Sequence, residues 1–282
     1  MKNKGIIPIN KPENWTSFDV VNKLKYKLKP LKVGHLGTLD PMATGVLLVT
    51  VGKATKLFDI MQEKQKTYVA TFKFGVLTDT LDATGEVLSN SQIEPIKEEK
   101  LKEVLPKFIG KISQIPPKYS AKSVNGKRAY DLARNGVEFE LKPKDVEIYS
   151  IKVLEFDGIS VKFEISCGSG TYIRAIGRDI AKELQTVATM TELIRTRVGN
   201  INISKCYDIE NIDNLQDIII PIKEVLNFQT LDLSKEEISK ILNGQSLKID
   251  KLDGIYCLTD DVDVFALVEI NNFNAKMSLF LG

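Results

Sequence analysis

The chain predicts an α+β fold: a mixed, largely antiparallel central sheet with flanking helices, followed by a small β-rich module. Three observations lead there. Strand and helix signals intermix along most of the chain without the strict strand–helix–strand rhythm of a parallel sheet. Residues 66–76 alternate cleanly, placing Tyr68, Ala70, Phe72, Phe74 and Val76 on one face. Near the C-terminus, Ser234 and Glu237 form a capping-box pattern that precedes two short alternating segments.

The elements follow in order. Gly5–Asn10 reads as a short strand. Thr16-Ser17 offers a helix N-cap, and Val20, Val21, Leu24 and Leu28 recur at helical spacing until Pro30. Lys23, Lys25, Lys27 and Lys29 fall on several faces of that helix, so it cannot be wholly buried. A loop dense in Gly and Pro, 34–45, carries the only histidine, His35, and an aspartate set against a proline, Asp40-Pro41. Residues 46–51 form an apolar strand, and Asp82-Ala83-Thr84-Gly85 a turn. Residues 96–109 predict an amphipathic helix. Residues 115–122, with Pro116-Pro117, predict an extended segment. Residues 126–135 predict a helix closed by Gly136. Residues 137–156 and 160–167 predict strands, and Gly168-Ser169-Gly170 turns the chain into a helix over 171–184. A last helix runs from the capping box to Gly244, and strands follow over 254–259 and 264–270. The expected division is a main domain over 1–222 and a small module over 226–282.

Composition narrows the function classes. The 282 residues are 43% hydrophobic and 27% charged, ordinary for a globular protein. No apolar run is long enough for a bilayer and no signal-peptide pattern opens the chain, which predicts a cytoplasmic protein. Three scattered cysteines, Cys167, Cys206 and Cys257, fit a reducing compartment rather than a disulfide framework. No heptad or large apolar patch is legible, so a monomer is expected. The net charge of +2 hides an asymmetry: residues 205–282 carry 7 basic and 14 acidic side chains, a balance of −7, so residues 1–204 sum to +9. Residues 1–40 hold eight Lys against three acids, and residues 107–144 hold nine Lys or Arg against three acids. Such an asymmetry suggests a polyanionic partner, although lysine-rich surfaces also serve solubility alone.

One histidine and scattered cysteines give no zinc spacing, and no metal is expected. No serine sits in a nucleophile elbow. Gly45 to Gly52-Lys53 has the wrong spacing for a phosphate loop, and Ala54 replaces the required hydroxyl. Asp40 remains, and on local sequence alone it reads first as a turn residue. Arg174 and Arg178, at i and i+4, form either a solvated helix face or a cationic ridge that holds phosphates or an ionised carboxylate. Tyr68 is either core or a stacking platform; Tyr172, opening a helix beside a glycine turn, is less typical of core.

Taken together, the segments resemble the bacterial TruB-type tRNA pseudouridine synthases. The matching pieces are Lys11-Pro12 with Trp15-Thr16-Ser17, Gly34-His35 with Gly37-Thr38-Leu39-Asp40-Pro41 and Ala43-Thr44-Gly45, Gly52-Lys53-Ala54-Thr55-Lys56, Lys66-Thr67-Tyr68 and Thr78-Asp79-Thr80. Pro116-Pro117 with Tyr119-Ser120-Ala121, Gly126-Lys127-Arg128-Ala129-Tyr130, Gly168 with Gly170-Thr171-Tyr172-Ile173-Arg174, and Leu193 with Arg195-Thr196-Arg197-Val198-Gly199 complete the set. The resemblance implies a pseudouridine synthase fold with a PUA-like RNA-binding module, no cofactor, and isomerisation of uridine 55 in the T-loop of the tRNA T-arm by base flipping. It makes Asp40 the nucleophile, at C6 of the base or C1′ of the ribose, and Arg174 the partner that keeps it charged. Tyr68 would stack on the flipped base. His35, Tyr172 and Leu193 would line the pocket, and Lys11, Arg178 and Arg195 would bind substrate. Asn14, Phe18, Leu36, Lys122-Ser123, Thr189 and Ile194 depart from the family pattern.

Overall fold

The alternating segment is a strand, Lys66–Phe74, with Tyr68, Ala70, Phe72 and Phe74 buried and Lys73 exposed. The computed structural model describes all residues except Met1, Glu63, Asn125 and Asp213. Two compact units divide the chain. One comprises Met42–Gly45 and Glu63–Val198; the other comprises Met1–Pro41, Val46–Gln62 and Gly199–Gly282.

In the unit built on residues 63–198, the Lys66–Phe74 strand is central. It pairs antiparallel with Ser160–Cys167 on one side and Ala188–Val198 on the other, so that Tyr68 stands between Ile165 and Arg195. Beyond Ser160–Cys167 come Lys144–Phe156 and then Gly110–Gln114, both antiparallel. On the free side of Ala188–Val198, Thr44 and Gly45 pair in parallel with Ile194 and Arg195. The sheet is therefore mixed and largely antiparallel, as the sequence predicts. The helix Ile173–Glu183 packs on it through Ile173, Ala175, Ile176, Ile180 and Ala181. A Cβ at Gly177 would enter the Phe72 ring, so glycine sets how near this helix comes to the central strand.

Several predicted elements are shorter than expected. The helix over 96–109 is α only for Glu98–Val104 and tightens into a 3-10 turn at Leu105–Phe108, where Pro106 removes a backbone donor. The helix over 126–135 contracts to Ala129–Arg134, because Lys127 and Arg128 pair with Val124 and Ser123. The strand expected from 137 starts at Lys144, directly after Pro143, which cannot donate to a ladder. The Ala188–Val198 and Gly110–Gln114 strands were not expected.

In the other unit, Gly5–Lys11 lies between Tyr207–Asp208, its parallel neighbour, and Thr44–Val51; Val33–His35 pairs antiparallel with the latter. The helix Ser17–Lys27 buries Ser17, Val20, Val21 and Leu24, and Thr16 with Asp19 closes its start in a capping box. The helix Lys235–Leu242 starts on the predicted Ser234–Glu237 box. An antiparallel four-stranded sheet follows, in the order Leu247–Lys248, Asn274–Phe280, Val264–Asn271 and Gly254–Thr259. Leu231, Ile241, Tyr256, Leu258, Val268 and Ile270 form its own apolar core. Within the same unit the Asp263 carboxylate accepts the N–H groups of Ile222 and Lys223 at 2.8 and 3.0 Å, and the Lys4 ammonium donates to the carbonyls of Val264 and Leu281. Among the described residues, no helix is long and apolar enough to cross a membrane.

Candidate active site

The Asp40 loop is held by the segment that leads into the first helix. Lys11, the last residue of Gly5–Lys11, is 0% exposed. Its ammonium donates to the carbonyls of Pro12 (2.7 Å), Trp15 (2.6 Å) and Pro41 (3.0 Å). Burying an ammonium is costly unless its donors are satisfied, and the three carbonyls satisfy them. The Asn14 N–H also donates to the Pro41 carbonyl at 2.9 Å, from a left-handed backbone (φ 63°) that asparagine tolerates. On the other side of Asp40, the Ser17 hydroxyl accepts the Leu39 N–H at 2.9 Å and lies 3.2 Å from the Leu39 carbonyl, to which it donates. Asp40 is half-buried, and both of its neighbours are fixed through their backbones. His35 is half-buried on the Val33–His35 strand, opposite Val49. Lys11, expected at the substrate, is fully buried, and one of its three carbonyl partners, Pro41, belongs to the loop.

The unit around residues 63–198 assembles a second set. Tyr68, Leu193 and Arg195 are buried on neighbouring strands, Tyr68 opposite Arg195 and Leu193 opposite Ala70. Arg195, also expected at the substrate, is buried on the strand beside Tyr68. Burial, reinforced by the Arg195 charge, lowers the Lys66 ammonium to about 8, and burial pushes the Cys167 thiol up to about 11. A Cβ at Gly45 (φ +100°) would overlap the Arg195 backbone carbonyl, so the exit of the loop needs glycine both for its conformation and for its approach to this strand.

Arg174 is buried one residue into the Ile173–Glu183 helix. Its Nη1 lies 3.1 Å from the Asp82 carboxylate and donates to the Thr80 carbonyl at 3.0 Å; its Nη2 donates to the Tyr119 carbonyl at 3.1 Å. Asp82, itself buried, also accepts the hydroxyls of Thr80 (2.8 Å) and Thr84 (2.6 Å) and the Thr84 N–H (3.0 Å). Arg174 therefore does not lie on a solvated face. The Tyr119 hydroxyl bonds to Asp79, which holds it in its neutral form above the usual range. Tyr172 sits at the helix N-cap, where its N–H and carbonyl are both bound by the buried Gln114 amide, at 2.9 and 3.2 Å. Arg178, one turn beyond Arg174, is committed to Asp179 and to the Ile115 carbonyl. It borders a cleft of about 820 Å³ shared with Asp79, Pro116, Pro117 and Tyr119. Among the described residues, no group of three or more His, Cys, Asp or Glu could hold a metal ion.

From the sequence, Asp82 reads only as a turn residue and Ser17 only as a helix start and motif residue, and Gln114 does not stand out at all. Asp82 has a local signal in the Thr80-x-Asp82-x-Thr84 pattern, three side chains that bond to one another across a turn. Gln114 has none, since its partner is 58 residues away.

The family model described as "TruB family pseudouridylate synthase (N terminal domain)" matches residues 23–173, more than half of the chain. The chain belongs to the TruB family. It is 44% identical over 247 residues to the tRNA pseudouridine synthase B of Clostridium kluyveri, covering 86% of this chain and 85% of the relative. It is 38% identical over 281 residues to the enzyme of the same name from Mycoplasma mobile, covering 99% and 95%. Among solved structures, a Cbf5–Nop10–Gar1 complex superposes with a TM-score of 0.74 at 21% identity, over 99% of this chain and 85% of that one, which supports the TruB-type fold.

Proposed function

We propose that this chain isomerises uridine 55 to pseudouridine in the T-arm of tRNA, with Asp40 as the nucleophile. The observation that carries the reading is the anchored loop: in a chain of this family, a half-buried aspartate stands between two residues whose backbones are fixed by Ser17, Lys11 and Asn14. A carboxylate suits the chemistry because it is ionised at neutral pH and needs no activating base. It adds to C6 of the base or C1′ of the ribose. The N1–C1′ bond breaks, the detached uracil turns, and C5 bonds to C1′. The bond to Asp40 breaks, displaced by C5 where it was to C1′ or eliminated where it was to C6, and the carboxylate is regenerated. C5 gives up its proton and N1 carries one. The bonds balance without a cofactor.

The roles follow the family resemblance. Tyr68 stacks on the flipped base, Arg174 provides the countercharge to Asp40, and His35, Tyr172 and Leu193 line the pocket, with Arg178 near the RNA. Lys11 and Arg195 act from inside the fold as supports. Taking the base out of its stack costs a few kcal/mol, which contacts to phosphates offset. The helix Ser17–Lys27 is suited to such contacts. No acid lies between Asp19 and Asp40. Phe18 and Tyr26 are 63% and 77% exposed, and the ammonium groups of Lys23 and Lys29 lie over the Trp15 and Tyr26 rings. Exposed aromatics among lysines fit a partner that is anionic and has ring faces. The 226–282 module serves as a PUA-like RNA contact of acidic character, and the enzyme works as a cytoplasmic monomer.

The test compares an unmodified T-arm stem-loop with a tRNA lacking that arm, reading pseudouridine at the target position. Product in the first and none in the second is expected. Product in both, or in neither the stem-loop nor whole tRNA, overturns the assignment.

A further inference from the structure

We propose that Ser17 is a positioning residue for this reaction: its hydroxyl fixes the direction in which Asp40 leaves the loop. The inference rests on Asp40 being the nucleophile. A serine at the start of a helix ordinarily caps it, but here that task is complete without Ser17. The Thr16 hydroxyl accepts the Asp19 N–H at 3.1 Å, and the Asp19 carboxylate accepts the Thr16 N–H at 2.8 Å. The Ser17 hydroxyl is left over from capping, and it is buried. A hydroxyl carries one donor and two acceptor sites, and this one uses both functions on a single residue, the Leu39 N–H at 2.9 Å and the Leu39 carbonyl at 3.2 Å.

The consequence for Asp40 is geometric. Leu39 is held on both sides of its α-carbon, and its own side chain is buried, so it cannot rotate. Downstream, the Pro41 ring keeps Asp40 out of the helical region, and Lys11 and Asn14 fix the Pro41 carbonyl. The backbone on both sides of Asp40 is thus fixed, which sets the direction of its Cα–Cβ bond. Removing the Ser17 hydroxyl releases the upstream half of this arrangement without touching Asp40, its charge or any exposed surface.

The full-length chain and its Ser17→Ala, Ser17→Thr and Asp40→Asn variants are compared on a T-arm stem-loop. The measurements are single-turnover pseudouridine formation, equilibrium RNA binding and thermal unfolding. For Ser17→Ala the rate constant falls by about 10- to 100-fold, the loss expected of a reacting group displaced by a fraction of an ångström to 1 Å. RNA affinity changes by no more than about twofold, and Ser17→Thr, which restores the hydroxyl, recovers the rate to within about threefold of the parent. A Ser17→Ala rate within about twofold of the parent overturns the proposal. So does a rate loss that tracks lost affinity and lower melting temperature and that threonine leaves uncorrected, since Ser17 is then only packing. Activity in Asp40→Asn overturns the nucleophile assignment itself, whatever Ser17 does, so the two failures are told apart.

Discussion

Asp82→Ala should destabilise the chain far more than an ordinary polar substitution. Asp82 and Arg174 are both buried, and their contact of 3.1 Å is supplemented by three further bonds from Thr80 and Thr84 to the same carboxylate. Truncating one partner of a buried pair costs about 3–5 kcal/mol, because the remaining charge stays away from water. The Thr84 N–H loses its acceptor as well, which adds about 1 kcal/mol. A total of roughly 4–6 kcal/mol, at about 2 °C per kcal/mol for a chain of this size, gives a fall in melting temperature of roughly 8–12 °C. Scanning calorimetry at neutral pH measures it. Asp82→Asn keeps an acceptor for the threonines and should fall by less. The loss should persist at about 0.5 M salt, because buried charges are poorly screened. A fall of under about 2 °C, or one that salt removes, refutes the reasoning and makes the pair equivalent to an exposed one.

Three further outcomes follow from the same geometry. Lys66 loses its proton at about 8 in the fold against 10.5 when unfolded, so the unfolded chain binds more protons in that window and stability rises with pH through it; urea midpoints at about pH 7.5 and about pH 10 should show a rise that Lys66→Met flattens. Gly45→Ala forces a side chain into a left-handed conformation and against the Arg195 carbonyl, and should cost more than about 2 kcal/mol by denaturant unfolding. With Cys167 and Cys257 buried, and burial holding the Cys167 thiol up at about 11, a disulfide reagent should titrate Cys206 alone in the native chain and all three cysteines in urea.

How much of this was legible in the sequence depended on whether a pattern was local. The 66–74 strand and the 234–237 capping box announced themselves through period-two alternation and a three-residue spacing. The Ala188–Val198 strand did not, although it carries Leu193 and Arg195. Its ladder with Lys66–Phe74 shifts register between Met190 and Glu192 and again between Arg195 and Arg197. Each shift inserts a residue and breaks the alternation from which a strand is read. The site divides in the same way. Asp40, Tyr68 and Arg174 stood out by motif. The burial of Lys11, which the resemblance put at the substrate, is invisible in sequence because the Pro41 carbonyl it holds is 30 positions away. Asp82 read as a turn residue because its arginine is 92 positions away, from 82 to 174.

The central claim is that the Asp40 carboxylate performs the isomerisation. Forming the C5–C1′ bond expels the hydrogen at C5, so release of tritium from tRNA labelled at C5 of uridine reports the reaction directly. The parent chain should release label stoichiometric with the target uridine. Asp40→Asn, of nearly the same shape and still able to bind RNA, should release none above background. Release by Asp40→Asn at a rate near the parent's would contradict the account.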